Sequence, residues 1–231
     1  MSKIKSLIRE KIFNNYSRKF KQKRKDLFYN QLKPHAQERI LDFGGYDGSW
    51  LSFLVPENNG NLYVADIAED ALKKAKNKFG LKTVLLDESG KIPFDDNYFD
   101  VVFCNSVIEH VTVDKNEIYS IKTNKEFREK SFARQQFLAS EIRRVSKKYF
   151  VQTPNKHFII ESHNWFPSFF IYLPRTYQIK LIKFLSKYWI KSSTPDVNLL
   201  TEKDMKLLFP DAEIFQEKSL YMTKSLIAIK K

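Results

Sequence analysis

Three carboxylates stand at the ends of three apolar runs. Asp42 follows Ile40 and Leu41, Asp66 follows Leu62–Ala65, and Asp87 follows Val84–Leu86. Gly44, Gly45 and Gly48 crowd the turn after the first run, which is how a chain stops where its backbone must approach a ligand closely. Asp66 lies 22 residues after Gly44, a spacing that sets a carboxylate against the ribose hydroxyls of a nucleoside ligand. Asp87, one strand further, can face the adenine edge. Each acid alone has an ordinary explanation, because Asp starts turns. Their order along the chain is the specific signal. Candidates for moving a proton are His110 after the fourth run, and Glu161 and His163, two residues apart after the fifth.

Regular alternation of elements positions these residues. Strands are predicted at Arg39–Phe43, Asn61–Ile67, Thr83–Leu86, Phe99–Cys104 and Tyr149–Gln152. Asp47 and Ser49 are placed to cap a helix through Trp50, Leu51, Phe53 and Leu54. A second helix covers Ala68–Phe79 and ends at Gly80, and a long one falls within Asn124–Ser146. Thr201–Asp204 resembles a capping box that opens a short helix stopped by Pro210. Ala212–Gln216 and Ser225–Ile229 are joined too closely for a crossover and should pair antiparallel. The expected fold is α/β: a Rossmann-like, seven-stranded, mostly parallel sheet with an antiparallel last strand and helices on both faces. His163–Ile190 is aromatic and basic, and reads as helices inserted as a lid at about 160–198.

The chain of 231 residues is 42% hydrophobic and 29% charged, which is globular. A single cysteine, Cys104, excludes an internal disulfide and a cysteine-rich metal site, and reads as a core thiol. The absence of a membrane-length apolar run or signal-like start points to a cytoplasmic protein. Of the formal +13, a net +9 lies in residues 1–33, where eleven Lys/Arg face Glu10 and Asp26. Ile4, Ile8, Ile12, Tyr16 and Phe20 recur every four residues there, so residues 1–37 form a basic amphipathic helical arm, with the main domain over 38–231. Such an arm can pack over the body, lie peripherally on an anionic membrane, or contact nucleic acid.

The glycine run reads G-G-Y-D-G-S, not the G-x-G-x-x-G that brings a pyrophosphate onto a helix N-terminus. Acids in that turn would also repel a phosphate and favour a ligand with a cationic end, such as the amino group and sulfonium of S-adenosylmethionine. Asp42-Phe-Gly44-Gly-Tyr-Asp-Gly48 resembles the first motif of class I S-adenosylmethionine-dependent methyltransferases. Leu86-Asp87, Ile92-Pro93-Phe94-Asp95, Phe99–Cys104 and Val107-Ile108-Glu109-His110-Val111 are similar to later motifs of their "type 11" branch. Arg134-Gln135, Glu141–Val145, Phe150–Asn155 with the following Glu161 and His163, and the C-terminal Phe209–Glu213 match a bacterial subgroup. The resemblance covers residues 38–231 and leaves the arm out. It implies S-adenosylmethionine as methyl donor, contacted by Asp42, Gly44, Gly45, Tyr46, Gly48, Asp66, Ile67, Asp87, Glu88 and Asn105. Tyr46 departs from the pattern by replacing the middle glycine, and its ring could cover or partly block the methionine portion of the cofactor.

For the acceptor, Asn105-Ser106-Val107-Ile108 stands where amino-methylating enzymes of nucleic-acid bases carry Pro-Pro-aromatic, and Cys104 lacks the preceding proline of cytosine C5 enzymes. That favours O- or N-methylation of a small molecule, glycan or lipid-linked acceptor. No ligand spacing for a metal is present, although His110, Glu161 and His163 could in principle meet. Two other readings stay open: a nicotinamide-dependent oxidoreductase, opposed by the glycine spacing, and a non-catalytic membrane- or partner-binding protein on the same fold.

Overall fold

The computed structural model describes residues 18–55, 60–87, 89–158, 168–185 and 195–231. The chain divides after Ala36 into two compact units. In the first, residues 18–32 form helix α1; the apolar repeat at Ile4–Tyr16 lies outside the described residues.

The second unit, Gln37–Lys231, is built on one seven-stranded sheet. Its elements run β1 (Ile40–Phe43), α2 (Ser49–Leu54), β2 (Leu62–Asp66), α3 (Glu69–Phe79), β3 (Lys82–Leu85) and β4 (Phe99–Asn105). They continue with α4 (Asn124–Val145), β5 (Ser146–Pro154), α5 (Arg175–Leu185), α6 (Glu202–Leu208), β6 (Glu213–Ser219) and β7 (Met222–Lys230). The strand order is β3-β2-β1-β4-β5-β7-β6; β1 to β5 are mutually parallel, and β7 runs antiparallel to both β5 and β6. β1 pairs with β2 on one side and β4 on the other, so the chain reverses its direction of growth there. The crevice at such a switch point is where open α/β sheets hold ligands.

Alternation along the strands sorts the core. Leu41, Tyr63, Val102, Cys104, Tyr149 and Val151 pack against Leu138 and Ile142 of α4, with Met205 and Leu208 of α6 in the same cluster. On the other face Trp50 of α2 meets Phe103, which stacks on Phe150, both pairs with centroids 5.4 Å apart. Thr201 and Asp204 form the expected capping box at α6, and Gly80 ends α3 in the left-handed region.

Three boundaries differ from the sequence reading for identifiable reasons. β5 starts at Ser146, directly after α4, because Lys147 and Lys148 find carboxylates on neighbouring segments, Asp100 and Glu38, each at 2.7 Å. The sequence places this strand only from Tyr149. The cap position of α2 is Gly48, with no side-chain cap; Asp47 instead accepts the Ser49 amide at 3.1 Å. The β6–β7 turn, Leu220-Tyr221, takes positive φ at both residues (51° and 62°), as a two-residue hairpin with matched twist requires, without the usual Asn or Gly.

The loop between β3 and β4 is tied to α4 by one residue. Arg144 donates to the carbonyls of Ile92 and Phe94, to Asp96 and to both oxygens of Glu141, while Glu141 also accepts the Ile92 amide. The Arg144 guanidinium therefore holds the Glu141 carboxyl below its ordinary range. Arg144→Met should cost about 2–4 kcal/mol in urea unfolding near neutral pH, since it strands a largely buried carboxylate. Because the folded pKa is depressed, that stabilisation is present above about 4.5 and lost as pH falls further. Equal stability of the two proteins at neutral pH would refute the tie. No helix among the described residues is long and apolar enough to cross a membrane.

Candidate active site

Where β1, β2 and β4 end, the chain turns over the sheet edge and encloses a cleft of about 410 Å³. Gly44 makes its floor possible. It has φ 70°, its amide bonds Ala65 O at 2.8 Å, and a Cβ there would lie 2.4 Å from Val107 Cγ2. Gly45 needs the same bareness for another reason: its Cβ would fall 2.5 Å from the Asp42 carboxylate.

Asp66 is the organising acid. Its Oδ2 accepts the Tyr46 amide and its Oδ1 the Ala68 amide, both at 2.9 Å, which fixes the carboxylate plane at the cleft wall. A carboxylate has room for about four acceptor contacts, so two remain for a ligand diol. Tyr46 itself has φ 50° and lines the cleft with its side chain 58% exposed. Asp87 also lines the cleft; the amide and hydroxyl of Ser89 hold its carboxyl below the usual range. Ile67, Leu86 and Val107 supply apolar wall beside these acids.

Asp42 is not in the cleft. It is 2% exposed, lies under Gly45, and its Oδ2 has no hydrogen-bond partner. Burial, and secondarily the charge of Asp66, push its pKa up to about 8, against a lowering by the Leu51 amide. At neutral pH it is mostly a neutral acid, so it adds little negative charge to the turn, where Asp47, its carboxyl held below the usual range by Ser49, is the remaining acid. The folded state keeps this proton at pH values where the unfolded chain, with an ordinary value of 3.8, has released it. Stability from this group is therefore complete below 3.8 and lost as pH rises through about 8. Asp42→Asn should remove that slope, worth up to about 1.4 kcal/mol per pH unit, from urea unfolding compared at about pH 5 and about pH 7. Parallel curves for the two proteins would contradict it.

His110 lines the cleft at the end of a 3-10 turn, Ile108–His110, and the loop that carries it is pinned from three directions. Gln135 Nε2 donates to the carbonyls of Ile108 and Asn198, at 2.9 and 3.1 Å. The Asn198 amide reaches Glu109 O, and Thr153 Oγ1 donates to Glu109 Oε2 at 3.0 Å. Glu109, Gln135 and Thr153 thus build the support under His110 rather than the cleft surface.

Of the other residues expected at the site, Gly48 (φ 73°) shapes the turn against Leu81, and Asn105 ends β4 beside Gln152. The cleft wall there is formed by Ser106, at φ 56°, whose hydroxyl bonds Gln152 Oε1 at 2.9 Å. Glu88, Glu161 and His163 lie outside the described residues, as do Trp165 and Trp189 of the aromatic stretch. Sequence reasoning missed the far wall, formed by Thr112, Lys115, Arg134 and Asp196. Arg134 pairs with Asp114 across it. Cys104 is fully buried, and burial with the nearby acids raises its thiol well above the usual range, so it is inert.

Residues 41–148 match the family model described as a methyltransferase domain. Over that stretch the chain carries a methyltransferase domain. Solved structures share the fold. A methyltransferase from Methanosarcina mazei described as S-adenosylmethionine-dependent aligns with TM-score 0.52 at 15% identity, over 88% of this chain and 96% of its own. A protein from Pyrococcus horikoshii aligns with TM-score 0.51 at 17% identity, over 88% and 85%. No curated protein matches the sequence. The cleft fits an adenosine-bearing ligand: it falls within the usual range for small-molecule sites, and an oriented carboxylate, Asp66, stands beside an apolar wall.

Proposed function

We propose that the protein transfers a methyl group to an oxygen or nitrogen of a small-molecule, glycan or lipid-linked acceptor, with His110 as the general base. The supporting observation is that one cleft is lined by Gly44, Asp66 and Asp87 together with His110, Lys115 and Arg134. When bound, S-adenosylmethionine supplies an electrophilic methyl on a sulfonium leaving group. Asp66 takes the ribose hydroxyls, Asp87 sits on the adenine side, and the Gly44–Gly48 backbone runs along the remainder. Tyr46, at the rim, screens the methionine portion from solvent. His110 accepts the proton that the acceptor releases as it attacks, and alignment supplies the rest of the acceleration.

Lys115 and Arg134 suit an acceptor with polar or anionic groups. Cytoplasmic action, with residues 1–33 in peripheral contact with an anionic membrane, belongs to the same proposal. The test is transfer from methyl-labelled S-adenosylmethionine into separated lipid, glycan, small-molecule and nucleic-acid fractions of a cell extract. Label in one of the first three supports the reading; label confined to nucleic acid overturns the acceptor class. With the labelled acceptor in hand, His110→Ala should lower kcat about 10²–10⁴-fold and leave S-adenosylhomocysteine affinity unchanged. Unchanged kcat would remove His110 as base.

A further inference from the structure

A second cavity, of about 230 Å³, lies between α4, α5 and Lys156, which follows β5, apart from the cofactor cleft. The segment at 195–198 separates the two: Asp196 lines the cleft, while Pro195, Val197 and Asn198 line this cavity. Three cationic side chains share its wall, Arg128, Lys156 and Arg175.

Arg175 is only 2% exposed. Its Nη2 donates to the carbonyls of Ile118 and Pro195, both at 2.9 Å, and its guanidinium carbon lies 3.4 Å from the centroid of the Phe127 ring. Among the described residues its Nε has no partner and no carboxylate bonds it; Asp196 acts through space. Arg128 spends Nη2 on both oxygens of Asp204, and its buried Nη1 has no partner. Lys156 is anchored by its backbone amide to Leu200 O, and its ammonium is half-buried near Arg128. Burial, then the charge of Arg128, hold the Lys156 pKa below its ordinary range, and burial does the same to Arg175.

Among the described residues one directly bonded carboxylate, Asp204, thus stands against three cations, leaving a positive excess in a place where unpaired charge is costly. A dianion offsets that excess, and guanidinium forks match the oxygens of a phosphate group. We propose that this cavity binds the phosphate group of a phosphorylated ligand, held by Arg128, Lys156 and Arg175. The site is separate from the cofactor cleft and does not depend on the acceptor reading above. Its ligand chemistry is a phosphate monoester or diphosphate, borne either by a soluble molecule or by a lipid headgroup.

The experiment uses the full chain in phosphate-free buffer, titrated calorimetrically with pyrophosphate and then mixed with phosphatidic acid vesicles. Saturable pyrophosphate binding is expected, weakened about tenfold in Lys156→Gln, the loss of one charge-assisted contact. The exposed Lys73→Gln serves as a control for net charge and should bind as the wild type does. Arg175→Gln should bind more weakly still; if that variant does not fold, Lys156→Gln decides. S-adenosylhomocysteine affinity should stay the same in Lys156→Gln. Vesicles captured through this cavity are released by pyrophosphate and lost in Lys156→Gln, which assigns the phosphate to a lipid; pyrophosphate binding with no such vesicle competition assigns it to a soluble ligand. Absence of saturable binding to both probes, or equal binding by wild type and Lys156→Gln, overturns the proposal.

Discussion

Asp66→Ala is expected to weaken S-adenosylhomocysteine binding about 100-fold. The side chain already satisfies two backbone amides, Tyr46 N and Ala68 N, and these bonds aim its remaining acceptor positions into the cleft. Two charge-assisted hydrogen bonds to a ribose diol contribute about 3 kcal/mol together, which is the stated factor in affinity. Asp66→Asn keeps the shape and one acceptor oxygen, so its loss should be about tenfold. The two amides are near the surface and can turn to water, so thermal stability should fall by no more than about 1 kcal/mol. Calorimetric titration of both variants reads the first effect and urea unfolding the second. An Asp66→Ala protein that binds as tightly as the wild type would remove the acid from the site.

Gly44→Ala is expected to lose both stability and ligand binding. Two costs coincide there: the left-handed φ of 70°, about 1 kcal/mol for a residue with a Cβ, and a Cβ position 2.4 Å from Val107 Cγ2. Val107 is packed against the core beneath the cleft, so it can yield only by moving the loop that carries His110. A total of about 2–4 kcal/mol is expected in urea unfolding, together with weakened S-adenosylhomocysteine binding. Gly60 separates the two costs, because it has φ 75° but nothing within 4 Å of its Cβ position. Gly60→Ala should therefore lose only about 1 kcal/mol. Equal losses in the two variants would show that contact with Val107 is not what restricts position 44.

The strand tips were legible because each is an apolar run closed by an acid, and strand order at the sheet edge then follows from connection rules. What escaped the sequence was assembled by tertiary pairing. The start of β5 reads as polar until Asp100 and Glu38 are seen beside Lys147 and Lys148. The protonation of Asp42 depends on burial under a turn that composition does not reveal. Within Val107–Val111, Glu109 lies fully buried against Thr153, while Val107, His110 and Val111 line the cleft, a division that only the folded chain reveals. The far wall joins Lys115, Arg134 and Asp196 from widely separated stretches, so no local spacing announces it. The same holds for Arg128, Lys156 and Arg175 around the second cavity.

The claim on which the rest depends is that the edge of β1, β2 and β4 holds the methyl donor with its sulfur turned toward His110. A crystal of the full chain soaked with S-adenosylhomocysteine tests it most directly. The prediction is a ribose within hydrogen-bonding distance of both Asp66 oxygens, adenine beside Asp87 and Ile67, and sulfur facing His110. Density for the ligand elsewhere, or a ribose out of reach of Asp66 with the sulfur directed away from His110, would contradict it.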